Sequence, residues 1–233
     1  MRILALIILC LLCTKGFSQK DTLFENQELI IRKKSAYYKG NEIYNADREL
    51  ENLIKKEKTD ECGVSYRFYY NPLSLVGNYY SYESGEGGVL ACGVPGSSLS
   101  VQTINLENNK KTSISDLFLE ESILKALKND SWIKRNMEEN KIDFHLINSV
   151  KAFFDRINSL GDVRFNLNSF AILEYDKKYG KVSVRLVGTE YMGYNHSRHL
   201  QLGLLLEPKE PYKHLFQNNM YFTVGDFNSG LIK

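Results

Sequence analysis

Apolar residues recur along this chain at two different spacings, and the switches between them lay out its elements. Leu29, Ile30 and Ile31, within Leu23 to Lys33, form a first short strand. From Asn45 the apolar positions become Ala46, Leu50, Leu53 and Ile54, a helical stripe behind an asparagine cap, which predicts an amphipathic helix ending near Lys58. The spacing then drops to two. Val64, Tyr66, Phe68 and Tyr70 alternate with Ser65, Arg67 and Tyr69, the pattern of a half-buried strand that Asn71-Pro72 is expected to end. Leu75 to Tyr82 and Leu99 to Leu106 supply two more strands, with turns expected at Ser84 to Gly88 and Gly93 to Gly96.

The middle third is helical. Ser115 is placed to cap a turn through Leu117 and Phe118, and Ile123, Leu124, Leu127 and Trp132 share one face of a helix running to about Met137. Ile147, Val150, Phe154, Ile157 and Leu160 mark a second helix, stopped by Gly161. Strands then return at Phe170 to Tyr175 and Lys181 to Val187, joined by a hairpin signal at Asp176 to Gly180, and at Leu200, Leu202, Leu204 and Leu206. Strands, then helices, then strands predict an α+β fold: an antiparallel or mixed sheet with two to four helices packed on it. No repeat, linker or low-complexity tract divides the chain, so residues 19 to 233 are expected to form one domain.

The first eighteen residues stand apart. Arg2 precedes an apolar run of eleven residues, Ile3 to Cys13, after which Thr14, Lys15 and Gly16 restore polarity. That order is a secretory signal peptide, and the run is about half the roughly 20 residues a spanning helix needs. Gly16 and Ser18 are the small residues expected before the cut, which places cleavage between Ser18 and Gln19. Acylation at Cys10 or Cys13 is disfavoured by the leucines before them. The mature chain is therefore expected in a periplasmic or extracellular compartment, with no transmembrane segment.

Cleavage changes the composition. The 233-residue chain carries 30 basic and 28 acidic side chains, and the leader removes Arg2 and Lys15 and no acid, leaving 28 of each. A balanced surface argues against nucleic acid as a partner. Two of the four cysteines leave as well, so Cys62 and Cys92 remain and are expected to pair in an oxidising compartment.

Catalytic motifs are weak. Ser122-x-x-Lys125 and Ser131-x-x-Lys134 have the spacing of a serine-lysine pair but lack the partner motifs that chemistry requires. His196 and His199, near Glu190, would point to opposite faces of a strand. No cofactor is implied. Tyr66, Tyr69, Tyr70, Tyr79, Tyr80 and Tyr82 crowd two successive strands, and alternation turns some of them outward, where a ring can stack on a ligand. Tyr69 and Tyr80 are the expected members of such a patch. Glu83 and Glu86, beside the glycines, are the clustered carboxylates that an alternative reading as a secreted hydrolase would use.

One stretch carries a resemblance. Gly87-Gly88, Ser98 to Leu106, Asn108-Asn109-Lys110 and Ile114-Ser115-Asp116-Leu117-Phe118, followed later by the Phe170 to Val187 hairpin, are similar in pattern to a secreted domain of unknown function. That domain is found in lysozyme-sensing anti-sigma factors and beside some bacterial peptidoglycan deacetylases. The resemblance spans about residues 60 to 190. It departs where Val89-Leu90-Ala91-Cys92 stands in place of a histidine-containing motif, so no recognition residue carries over. It implies a non-catalytic envelope module that binds a cell-wall glycan or a lysozyme-like protein.

Overall fold

Alternation from Ser65 onward builds the centre of the molecule. The computed structural model describes residues 21–56, 65–89, 96–161, 163–191, 197–217, 222–223 and 231–232, and for 190–191, 197–199, 222–223 and 231–232 the backbone alone. Strands β5 (Ser65–Val76), β6 (Tyr79–Val89) and β7 (Gly96–Asn105) form an antiparallel meander. Short β8 (Lys110–Lys111) edges β7, and β12 (Phe222–Thr223) pairs with β5 only at Ser74 and Leu75.

Two expected breaks are absent from this central sheet. The first strand runs on through Asn71-Pro72, because the register slips between Pro72 and Ser74 and β12 pairs with β5 only beyond that point. A bulge is where a strand tolerates a residue that cannot donate. The chain reverses instead at Gly77-Asn78. Gly77 has φ +57, and a Cβ there would lie 1.7 Å from the Leu215 carbonyl oxygen, so this turn admits only glycine. Ser84 to Gly88 is not a turn but the second half of β6, each residue paired on both sides.

One face of the central sheet receives the N-terminal sheet, an antiparallel meander of β1 (Thr22–Glu25), β2 (Leu29–Arg32), β3 (Ser35–Tyr38) and β4 (Asn41–Asn45). Leu29, Ile31 and Ala36 pack there against Tyr70, Leu75, Tyr80, Tyr82, Ile104 and Leu106. Helix α1 (Ala46–Lys56) follows, its first N–H groups capped by the Asn45 side chain, and lies against β5. Of its apolar stripe, Ala46 is buried, whereas Ile54 remains 47% exposed.

The other face meets the C-terminal sheet, ordered β13-β11-β10-β9, from β9 (Val163–Asp176), β10 (Lys181–Tyr191), β11 (Ser197–Leu206) and the parallel β13 (Leu231–Ile232). Its edge strand β9 crosses the central sheet, and a row of hydroxyls, one from each central strand, meets it. Thr103 donates to the Phe170 carbonyl (2.7 Å), Ser81 accepts from the Ile172 N–H (3.0 Å), and Ser74 donates to the Ile172 carbonyl. Since the single Thr103 proton goes to Phe170, the 2.9 Å contact between Ser81 and Thr103 is a donation from Ser81. The relay thus runs from the Ile172 N–H through two hydroxyls to the Phe170 carbonyl, satisfying an edge that water cannot reach.

Helices pack on the C-terminal sheet: α2 (Ile114–Leu117), α3 (Glu120–Asn129), α4 (Ser131–Glu139), α5 (Val150–Asn158) and α6 (Glu210–Gln217), with a 3-10 turn at Phe144–Leu146; α6 also abuts the Gly77-Asn78 turn, where Phe216 stacks on Tyr79. Ile123, Leu127, Ile133, Phe153 and Phe154 pack on Val182, Val184, Leu186 and Leu202. The helix expected through Trp132 is two helices, because Asp130 is extended and its carboxylate caps the second at Ile133 (3.0 Å). Ser113 rather than Ser115 caps the short α2, in a capping box with Asp116. The α+β class therefore holds, with three sheets and six α-helices among the described residues in place of one sheet and two to four helices. No helix among them is long and apolar enough to cross a membrane.

Candidate functional site

Beyond the reach of the N-terminal sheet, the central sheet keeps its pleat but loses its cover. Residues of β5, β6 and β7 that share a face with buried Tyr80 and Tyr82 become Phe68, Ser84, Glu86, Ser98 and Ser100 at this open end. Tyr44 of β4 and Glu49 of α1 stand beside them, and together they enclose a cleft of about 250 Å³. That is slightly below the usual ligand-pocket range of roughly 300 to 1,000 Å³, room for one sugar unit or one side chain.

The floor of the cleft is ordered by its own hydrogen bonds. Ser84 and Ser100 hydroxyls meet at 3.1 Å, Gln102 donates to Ser100 (3.2 Å), and Ser98 donates to Glu86 (3.2 Å). The wall is aromatic. Tyr44 stacks on Tyr70 with ring centroids 5.3 Å apart, and Tyr66 meets Phe68 edge-on at 5.7 Å. Burial pushes the Tyr44 phenol up to about 12, with the charges of Glu49 and Glu86 adding to the shift. Burial likewise raises Tyr66, with help from Glu86 through its charge and a hydrogen bond. Both phenols stay protonated and able to donate. Among the described residues no lysine or arginine lines the cleft, which offers two carboxylates, three serine hydroxyls and ring faces, a combination suited to hydroxyl-rich ligands.

Of the residues expected from sequence to face a ligand, Tyr80 is displaced. It is fully buried, paired with Leu75 and Ile104, and its hydroxyl bonds that of Tyr70. The N-terminal sheet, not foreseen beyond its first strand, covers that position. Tyr69 is half-buried but lies on the opposite face of the sheet, its ring laid across Gly85, where a Cβ would approach within 2.2 Å. Its hydroxyl donates to the Ser98 carbonyl (3.3 Å), and burial followed by the Glu83 charge raises it to about 12. The two tyrosines are not brought together.

The carboxylate pair dissolves in the same way. Glu83 and Glu86, three apart on one strand, project to opposite faces: Glu83 is buried beside Asn71 and opposite Val101, and Glu86 faces the cleft. The two carboxylates share no cleft among the described residues, so they do not form the pair that the hydrolase reading would use. Ser122 accepts from the Glu207 N–H at 2.9 Å, a structural role. Ser18, Gln19, Cys62, Cys92 and His196 lie outside the described residues, as does the His199 side chain. Among the described residues, no group of three or more histidine, cysteine, aspartate or glutamate side chains is placed to hold a metal ion. Tyr44 and Glu49 were missed because β4 carries little alternation and Glu49 sits on the polar side of its helix.

No family model matches the chain, and no curated protein matches it. Among solved structures it is similar to a member of the DUF3298 family, a domain of unknown function, from Bacteroides fragilis. Identity is 15%, the TM-score is 0.30, and the match covers 73% of this chain and 66% of that one, just under two thirds of its length. The description of that structure names neither an anti-sigma factor nor a deacetylase, and a likeness at this score carries no site residue across.

Proposed function

We propose that this chain is an exported, non-catalytic binding module of the cell envelope, recognising a cell-wall glycan or a wall-directed protein such as lysozyme. The observation that carries the reading is the open end of the central sheet. Tyr44 and Phe68 face the same small cleft as Glu49, Glu86 and a ladder of serine hydroxyls. A sugar ring stacks its apolar face on an aromatic wall while its hydroxyls exchange hydrogen bonds with carboxylates and serines. The same groups accept the cationic or polar side chains of a protein surface. The test is a pull-down of the purified chain on peptidoglycan together with a titration with lysozyme. Binding to either in the micromolar range is expected, and absence of binding to both at high micromolar concentration refutes the reading.

Export rests on the leader, with cleavage between Ser18 and Gln19. A Cys62–Cys92 disulfide belongs to the same proposal and rests on the even cysteine count left in an oxidising compartment. Oxidation would form one S–S bond with loss of two thiol protons, the two electrons passing to a disulfide-carrying thiol oxidoreductase of the export compartment. The bond would close a loop of about 31 residues and stabilise the fold by roughly 3 to 4 kcal/mol.

A further inference from the structure

A second cleft, of about 460 Å³, opens on the outward side of the N-terminal sheet where β2, the turn into β3 and the start of α1 converge. Its lining brings four cations together, Arg32, Lys33, Lys34 and Arg48, with the carboxylates Asp21, Asp47 and Glu51. Three of the cations are already matched. Lys33 pairs with Asp21 (3.5 Å), Lys34 with Asp47 (2.8 Å), and Arg48 with Glu42 (3.0 Å), a carboxylate outside the lining.

Arg32 is different. It has no ion pair and no hydrogen-bond acceptor among the described residues, and its Nε is shielded from solvent. Its guanidinium lies over the Tyr37 ring, whose centroid is 5.8 Å from the guanidinium carbon. A guanidinium carries five N–H donors in a planar fork, and leaving a shielded one without an acceptor is costly. The position is built rather than incidental. Alternation along β2 sends Leu29 and Ile31 into the core and leaves Arg32 on the other face. The adjoining turn is fixed at both ends by the Lys33 N–H bonding the Asp21 carbonyl and the Ala46 N–H bonding the Lys34 carbonyl, each at 2.9 Å.

We infer that this cleft is an oxyanion site, in which Arg32 takes the carboxylate or phosphate of a small ligand through the two terminal nitrogens, Nη1 and Nη2, of its guanidinium. Planar, two-pronged recognition of such groups is what arginine does better than lysine. Lys33, Lys34 and Arg48 are each held by a carboxylate and Glu51 also lines the cleft, so the guanidinium of Arg32, and not a general excess of positive charge, is what the anion would meet. The site is separate from the glycan cleft, and its test does not depend on that reading.

The experiment is a titration of the full chain, followed through the Arg32 Nε–Hε resonance, with N-acetylmuramate, N-acetylglucosamine and inorganic phosphate. The first two differ by a lactyl carboxylate. A saturable shift with N-acetylmuramate but not N-acetylglucosamine supports the proposal and identifies a carboxylate; a shift with phosphate alone supports it and identifies a phosphate. Compared with the wild-type chain by calorimetry, since neither variant carries that resonance, Arg32→Gln should weaken binding at least tenfold, and Arg32→Lys, which keeps the charge but not the fork, should fall between. Arg32 is partly exposed, so both variants should keep the wild-type melting profile. No shift with either anion, an equal shift with the neutral sugar, or wild-type affinity in Arg32→Gln overturns the proposal.

Discussion

Replacing Thr103 by valine isolates the hydroxyl relay between the central and C-terminal sheets. Valine keeps the branch and nearly the volume, so no cavity opens. What is lost is one donor to the Phe170 carbonyl at 2.7 Å and one acceptor for the Ser81 hydroxyl at 2.9 Å. Both groups are buried, and each left without its partner costs about 1 to 3 kcal/mol. The methyl that replaces the hydroxyl returns roughly 1 kcal/mol of apolar burial, for a net loss of about 1 to 5 kcal/mol, centred near 3. Urea unfolding at equilibrium measures it as a lower midpoint at unchanged slope. Ser81→Ala breaks the same relay one step earlier, so the double variant should lose less than the sum of the two, with a coupling of at least about 0.5 kcal/mol. A Thr103→Val change under about 0.5 kcal/mol, or strict additivity, would show that β9 does not depend on these hydroxyls.

The buried phenols predict an alkaline limit. Burial raises Tyr44 and Tyr69 to about 12 and pushes Tyr70, Tyr79, Tyr80 and Tyr82 further up. An unfolded tyrosine ionises near 10, so this contribution is fully present below about pH 10 and is lost as pH rises toward the folded values, by up to about 1.4 kcal/mol per pH unit for each phenol held neutral. Urea midpoints compared at about pH 8 and about pH 11 should fall together with the appearance of tyrosinate absorbance; an unchanged midpoint contradicts the buried-phenol assignment. For the exported chain, intact mass should show a start at Gln19 and a deficit of two hydrogens that a reductant restores. A lipid adduct at Cys10 or Cys13, or two free thiols, would reverse that part of the proposal.

Local patterning carried much of the fold, and its failures share a cause. Alternation around Tyr66 to Tyr70 and along Leu200 to Leu206 located strands correctly because each has one apolar face against a packed neighbour. Pro72 and the glycines at 85, 87 and 88 signal breaks locally, yet a register slip absorbs the first, and the ring of Tyr69 needs the space at Gly85. Such choices depend on residues across the sheet. The number of sheets was illegible for the same reason: β9, the edge of the C-terminal sheet, crosses the central sheet instead of joining it, and it is met there by three small hydroxyls, Ser74, Ser81 and Thr103, which carry no signal in sequence. At the cleft, the aromatic crowding was visible, but the ring that faces it most usefully, Tyr44, comes from a strand that hides Tyr80.

Ligand binding by cleft variants tests the central claim most directly. Glu86→Gln removes a charge with little change of shape, and Phe68→Ala removes part of the aromatic wall at a partly buried position. Affinities of the wild-type chain and both variants for soluble peptidoglycan fragments and for lysozyme should be compared by calorimetry. The proposed module predicts that each substitution weakens binding of the same ligand about tenfold or more while the fold stays intact, as expected when a contact group in a desolvated pocket is removed. Wild-type affinity in both variants would place recognition elsewhere and contradict the assignment of the cleft.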